Sequence, residues 1–308
     1  DVYKRQLYGR STPLCVMLKR TVTAVLLIAL LIGLFALSYF VEHGNIFLDL
    51  FIWILLVGAV REMYFCMQHS GFKLFRLPLA LFLITCYPVM YLMEHFLGQG
   101  FLGILIVFAV SALTALIVFT FADPERNTPK DLFATIFVTV YPGLLISLAW
   151  MLVQRYSAVY AIPFAIFLPV GADTFAYWFG SMIGGKKLCP SISPKKTVAG
   201  FVGGLLGGVL VSVIFFLIFE QFSLLPAAGH VPFTDATWKS ALVYIAIGLV
   251  GALAGQLGDL AASRIKRALG IKDFGTIFPG HGGIMDRFDS IMAGIVVLLV
   301  AFTIIYGV

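Results

Sequence analysis

The chain is built from continuous apolar runs, about 17–22 residues long, separated by short charged loops. A run of that length is one helical crossing of a bilayer, because about 20 residues at 1.5 Å rise cover the hydrocarbon core. The ten-residue alternation of barrel strands is missing from the pattern. Backbone in lipid must satisfy its own hydrogen bonds, which favours helices here. Composition agrees: 61% of residues are hydrophobic and 12% charged, where soluble domains carry about 25% charged. Mean hydropathy is +1.01. These features imply an all-α polytopic membrane protein.

Nine spans are expected: Thr21–Val41, Ile46–Val60, Leu77–Met93, Phe101–Phe121, Leu132–Val153, Ala158–Phe179, Val198–Phe219, Ala241–Leu257 and Ile291–Tyr306. The second is short, and is expected to be tilted less or only partly inserted. Basic residues in loops mark the cytoplasmic side. With the N-terminus in the cytoplasm and the C-terminus outside, 19 of the 21 Lys and Arg fall on the cytoplasmic side, and only Arg155 and Lys239 lie elsewhere. This asymmetry accounts for the net charge of +6 without nucleic acid. The four cysteines (Cys15, Cys66, Cys86, Cys189) form no C-x-x-C pair, so neither a disulfide framework nor a zinc site is indicated. Residues 1–10 carry no interpretable pattern and are set aside as a fragment end or non-native leader. The expected layout is a basic cytoplasmic segment (1–20), five N-terminal spans (21–153), and a four-span catalytic unit (154–308) with cytoplasmic loops 180–197 and 258–290.

In the first five spans, charge is confined to loops. Thr128 before Pro129 reads as a helix N-cap, and Glu94 and His95 read as interfacial. The sixth span differs, because Asp173 lies within it, on one face with Tyr177. A mid-span Asp costs about 2.5–3.5 kcal/mol and less near an interface, so Asp173 is either an interfacial residue or part of a polar site wall. The loop that follows holds four lysines and the element Ser193-Pro-Lys195-Lys196-Thr197 between glycines. Lysine alone is a topology signal, whereas lysine beside Ser, Thr and Gly suits phosphate. In the seventh span, Gly203/Gly207 and Gly204/Gly208 form two G-x-x-x-G pairs, and Gly251 and Gly255 repeat the device in the eighth. Such pairs let helices approach closely.

The densest chemistry lies in Ser263–Asp289, S-R-I-K-R-A-L-G-I-K-D-F-G-T-I-F-P-G-H-G-G-I-M-D-R-F-D. If the eighth span stays helical past the membrane, Asp259, Ser263 and Lys266 share one face. Asp286 and Asp289 share a face of the first turn of the last helix, which is expected to begin near Ile284. Anionic side chains suit a helix start, but that preference leaves Asp259, Arg287 and the G-H-G-G turn unexplained. Grouped carboxylates repel unless a cation sits between them. With phosphate-binding cations around them, they suit Mg²⁺, a hard cation that takes oxygen ligands.

This stretch resembles the signature of the phosphatidate cytidylyltransferases (CDP-diacylglycerol synthases) across all 27 residues, and the resemblance runs from about Gly171 to Ser290. It implies transfer of CMP from CTP to phosphatidic acid in phospholipid biosynthesis, giving CDP-diacylglycerol and pyrophosphate, with Mg²⁺. It would place metal on Asp259 and Asp286, with Asp289 as a further candidate. Catalytic roles would fall to Lys266, Arg267, Lys272, Asp273, His281 and Arg287, where His281 either donates to a phosphate or fixes the turn. Asp173, Ser193, Lys195, Lys196, Thr197 and Ser263 would contact substrate. The resemblance also implies a cell (inner) membrane location, a cytoplasmic active site and a homodimer. The rival readings are a related CTP-using enzyme acting on a polyprenol-type lipid and an anionic-solute transporter.

Overall fold

The computed structural model describes residues 13–223, 232–234, 236–278 and 282–307. Its helices are α1 (Pro13–Phe40), α2 (Asn45–His69), α3 (Arg76–Leu97), α4 (Gly100–Phe121), α5 (Pro129–Arg155), α6 (Ala158–Met182), α7 (Val198–Gln221), α8 (Thr237–Ala268) and α9 (Met285–Tyr306). Among the described residues, the seven helices from α3 to α9 are long and apolar enough to cross a membrane. In α1 the described apolar stretch is Val25–Phe40, and α2 carries Asp49, Arg61 and Glu62.

Two features depart from the sequence reading. Residues 180–197 are not an open loop: β1 (Lys187–Cys189) pairs antiparallel with β2 (Ser193–Thr197), with Lys187 opposite Thr197. The all-α expectation therefore needs one small hairpin added. The fifth span is also not one continuous α-helix. A π-turn over Thr139–Leu144 interrupts it, with Tyr141 at a non-helical φ of −120° and ψ of 100°. Pro142 lacks the N–H that a continuing helix would use, and proline is the common cause of such a break.

The glycine pairs of α7 serve two partners. A Cβ at Gly203 would lie 2.4 Å from Phe179 Cβ, and one at Gly207 2.6 Å from Phe175 Cβ, both on α6. A Cβ at Gly208 would lie 2.4 Å from Ala252 Cβ on α8. The two interleaved pairs thus wedge α7 between α6 and α8. At one end of this unit the core is aromatic. Tyr160, Phe164, Phe215, Tyr244 and Phe302 pack as buried rings, and Tyr160 and Tyr244 share a 2.8 Å hydrogen bond. Truncating such a ring typically costs about 3–5 kcal/mol. The aspartates and lysines of the hairpin and the Ser263–Asp289 stretch collect at the other end.

Candidate active site

The polar end holds a cavity of about 400 Å³ between the C-terminal half of α6, the hairpin, the first turn of α7 and the middle of α8. Asp173, Tyr177, Lys195, Lys196, Thr197 and Asp259 line it. The sequence brings the walls together locally. Thr197 ends β2 in extended backbone and caps α7, its Oγ1 accepting from Gly200 N at 3.0 Å. A Cβ at Gly200 would lie 2.7 Å from Ala176 O, so only glycine lets this first turn rest on α6. The start of α7 therefore faces the cavity, and a helix N-terminus favours anions.

Across the cavity, Lys196 pairs with Asp259, and both side chains are about a quarter exposed (26% and 27%). The ammonium comes from the hairpin and the carboxylate from α8, which stays helical to Ala268 as expected. Asp173 lies about two and a half turns before the end of α6 at Met182. Ser290 Oγ donates to Asp173 Oδ2 at 3.4 Å, and Asp289 Oδ1 accepts from Ser290 N at 2.8 Å. These bonds link α6 to the start of α9. Asp289 itself is buried, within Coulombic reach of Asp259 and Asp173.

The rest of the signature forms a second cluster. Lys266 Nζ donates to Asp286 Oδ1 at 2.9 Å, and Asp286 Oδ2 accepts from Phe274 N at 2.9 Å and Gly283 N at 3.1 Å. Lys266 also lies 5.2 Å from the centre of the Phe274 ring. Asp286 thus pins the loop to the end of α8 while its side chain is only 8% exposed. Both of its oxygens are engaged within the chain. Among the described residues, Asp259 has only its lysine.

Of the residues singled out from the sequence, the cavity gathers Asp173, Lys195, Lys196, Thr197 and Asp259. Lys266 and Asp286 meet in the loop cluster, and Asp289 stands between the two. Arg267, Lys272, Asp273 and Arg287 are exposed along the loop. Ser193 and Ser263 are half-buried and outside the cavity lining. His281 lies outside the described residues.

Three residues escaped the sequence reading. Gln256 is buried in the cavity wall and donates to Phe201 O at 3.3 Å. Tyr141, at the α5 break, lies within Coulombic reach of Asp289, Asp259 and Asp286, and its buried hydroxyl has no partner among the described residues. Pro142 in mid-span was its signal. Glu62 of α2 is 6% exposed, and its Oε2 accepts from Met285 N at 3.0 Å. Its signal was a carboxylate just past an apolar run, with Cys66 and Ser70 following at four-residue spacing.

Among the described residues, no three His, Cys, Asp or Glu side chains converge as a self-contained metal site. Mg²⁺ commonly takes one or two carboxylates and completes its shell with water and substrate phosphates. The carboxylates of Asp173 on α6 and Asp259 on α8 both line the cavity, with buried Asp289 within Coulombic reach of each, and fit that mode.

The sequence matches the Cytidylyltransferase family over residues 18–305. The chain belongs to that family. It is 32% identical over 274 residues to a phosphatidate cytidylyltransferase of Staphylococcus saprophyticus, covering 89% of this chain and 94% of the relative. It is 32% identical over 278 residues to that of Staphylococcus haemolyticus, with the same coverage. Over 138 residues it is 39% identical to the enzyme of Staphylococcus aureus.

Proposed function

We propose that this chain is a phosphatidate cytidylyltransferase, transferring CMP from CTP to phosphatidic acid and releasing pyrophosphate. The observation that carries this reading is the cavity. It sets two carboxylates, two lysines and a helix N-terminus at one end of apolar, membrane-length helices. A nucleotide can enter from water there while acyl chains stay among the helices.

A phosphate oxygen of the lipid attacks the α-phosphorus of CTP. A P–O bond forms to the lipid phosphate, the α–β bridging bond breaks, and its electron pair leaves with pyrophosphate. A phosphate monoester is already nucleophilic, so positioning and charge neutralisation dominate. Lys195, Lys196 and the α7 amides hold phosphates. Asp259 and Asp173, with Asp289 behind, are the residues that would hold Mg²⁺. Mg²⁺ supplies charge neutralisation on the triphosphate and eases departure of pyrophosphate. Lys196 pairs with Asp259 here, and the same ammonium would be free to hold a phosphate of CTP once the carboxylate is engaged elsewhere. Asp286 and Lys266 hold the loop that frames the site.

The nine-span topology has its N-terminus in the cytoplasm and its C-terminus outside, with the cavity at the cytoplasmic face of the cell membrane. Loop charge supports this orientation. A transporter site would lie near the midplane, whereas these charges collect at one end. The test is a dual-label assay on purified protein with phosphatidic acid. Label from [α-³²P]CTP should enter lipid. Label from [γ-³²P]CTP in lipid would mean a kinase, and no label from either would contradict nucleotidyl transfer.

A further inference from the structure

We propose that Glu62 of α2 is a positioning residue for the transferase reaction: its carboxylate caps α9 from another helix and holds the signature loop in its working shape. The start of α9 lacks a cap of its own, because Ile284 occupies the N-cap position and has no side chain able to accept. Unpaired amides at a helix start need an acceptor, and an anion there also meets the positive end of the helix dipole. Glu62 fills that role across 223 positions of sequence, its Oε2 accepting from Met285 N at 3.0 Å.

The glycines of the loop are shaped to this carboxylate. A Cβ at Gly283 would lie 2.4 Å from Glu62 Oε2, and one at Gly275 2.1 Å from Glu62 Oε1. Neither glycine has a positive φ. Their backbones would accept alanine; the carboxylate is what excludes it. Two further contacts line up on the same face of α2, one and two turns on. Cys66 Sγ donates to Phe274 O at 3.0 Å, and Ser70 Oγ donates to Leu269 O at 3.0 Å. The stripe 62-66-70 therefore seats the loop from Leu269 to Met285, and with it the Lys266–Asp286 pair and the first turn of α9 that carries Asp289. Glu62 Oε1 has no hydrogen-bond partner among the described residues. A buried carboxylate oxygen left unpaired is costly, so packing alone does not account for a glutamate here.

The activity arm of the test rests on the cytidylyltransferase reading; a second arm does not. Purified wild type, Glu62→Gln, Glu62→Ala, Gly283→Ala and the Glu62→Ala/Gly283→Ala double variant are compared. The readouts are kcat and KM for CTP, thermal midpoint, and hydrogen exchange across residues 269–290. Glu62→Ala should lower kcat roughly a hundredfold, the scale of a misplaced catalytic group. KM for CTP should change little and loop exchange should speed up. Glu62→Gln keeps the shape and should fall between Glu62→Ala and wild type. Gly283→Ala alone should resemble Glu62→Ala, and adding it to Glu62→Ala should cost little more, because the space is then vacant and the two sites are coupled. Wild-type kcat and loop exchange in Glu62→Gln and Glu62→Ala would overturn the proposal. So would fully multiplicative effects of Gly283→Ala and Glu62→Ala, or a lowered midpoint with normal kcat in the folded fraction. If wild type itself made no CDP-lipid, the functional reading would fail while loop exchange still decided the role of Glu62.

Discussion

Two lysine–aspartate pairs join residues of the hairpin, α8 and α9, Lys196–Asp259 and Lys266–Asp286, and they differ in what surrounds them. Lys196–Asp259 bridges an open cavity, with both side chains about a quarter exposed and no other bond to the carboxylate among the described residues. Lys266–Asp286 is nearly enclosed, and two backbone amides hold the same carboxylate. A pair open to a water-filled cavity is held less tightly than an enclosed one and can be exchanged for a ligand. Breaking a buried pair by removing one partner typically costs about 3–5 kcal/mol. Two carboxylates that look alike in sequence thus have different surroundings: Asp259 faces the cavity, and Asp286 is bonded to the backbone of the loop.

The largest effect that could break this contrast is Asp286→Asn. It should lower the thermal midpoint and cut CDP-lipid formation roughly a hundredfold, the rate equivalent of about 3 kcal/mol. Added Mg²⁺ should restore neither. A normal midpoint with activity recovered by Mg²⁺ would make Asp286 a ligand instead of a scaffold.

Next is Lys195→Gln/Lys196→Gln. Both lysines line the cavity, so this variant should raise KM for CTP roughly tenfold, about 1.4 kcal/mol of binding, with the midpoint unchanged. Near-normal kinetics would return the hairpin lysines to being topology signals.

The smallest readout concerns which side the pair faces. Cys189 ends β1, and Cys66 is buried beneath the loop. An impermeant thiol reagent added to intact cells should label neither. Labelling of Cys189 from outside would place the cavity on the opposite face.

The same contrast explains how far the sequence could be read. Asp259, Ser263 and Lys266 were legible as one helix face because helical periodicity is local, and α8 does continue to Ala268. The close approach of α7 was legible in Gly203/Gly207 and Gly204/Gly208, although not that each pair faces a different helix. The hairpin was not legible. Lys187–Cys189 and Ser193–Thr197 are too short and polar to show strand alternation, and their pairing depends on the seat provided by α6 and α7. Glu62 was hidden for another reason. Its partners, Gly275, Gly283 and Met285, are more than 200 positions away, and sequence spacing carries no record of such contacts.

The most direct test is the Mg²⁺ dependence of CDP-lipid formation in Asp259→Asn. Asparagine keeps the shape and one oxygen but removes the charge. The thermal midpoint should stay within a few degrees of wild type, because a cavity-facing carboxylate contributes little to packing. Activity should fall roughly a hundredfold at ordinary Mg²⁺, with the Mg²⁺ curve displaced to higher concentration and part of the rate recovered there. Full activity with an unshifted Mg²⁺ curve would contradict the account and move the reacting phosphates away from this cavity.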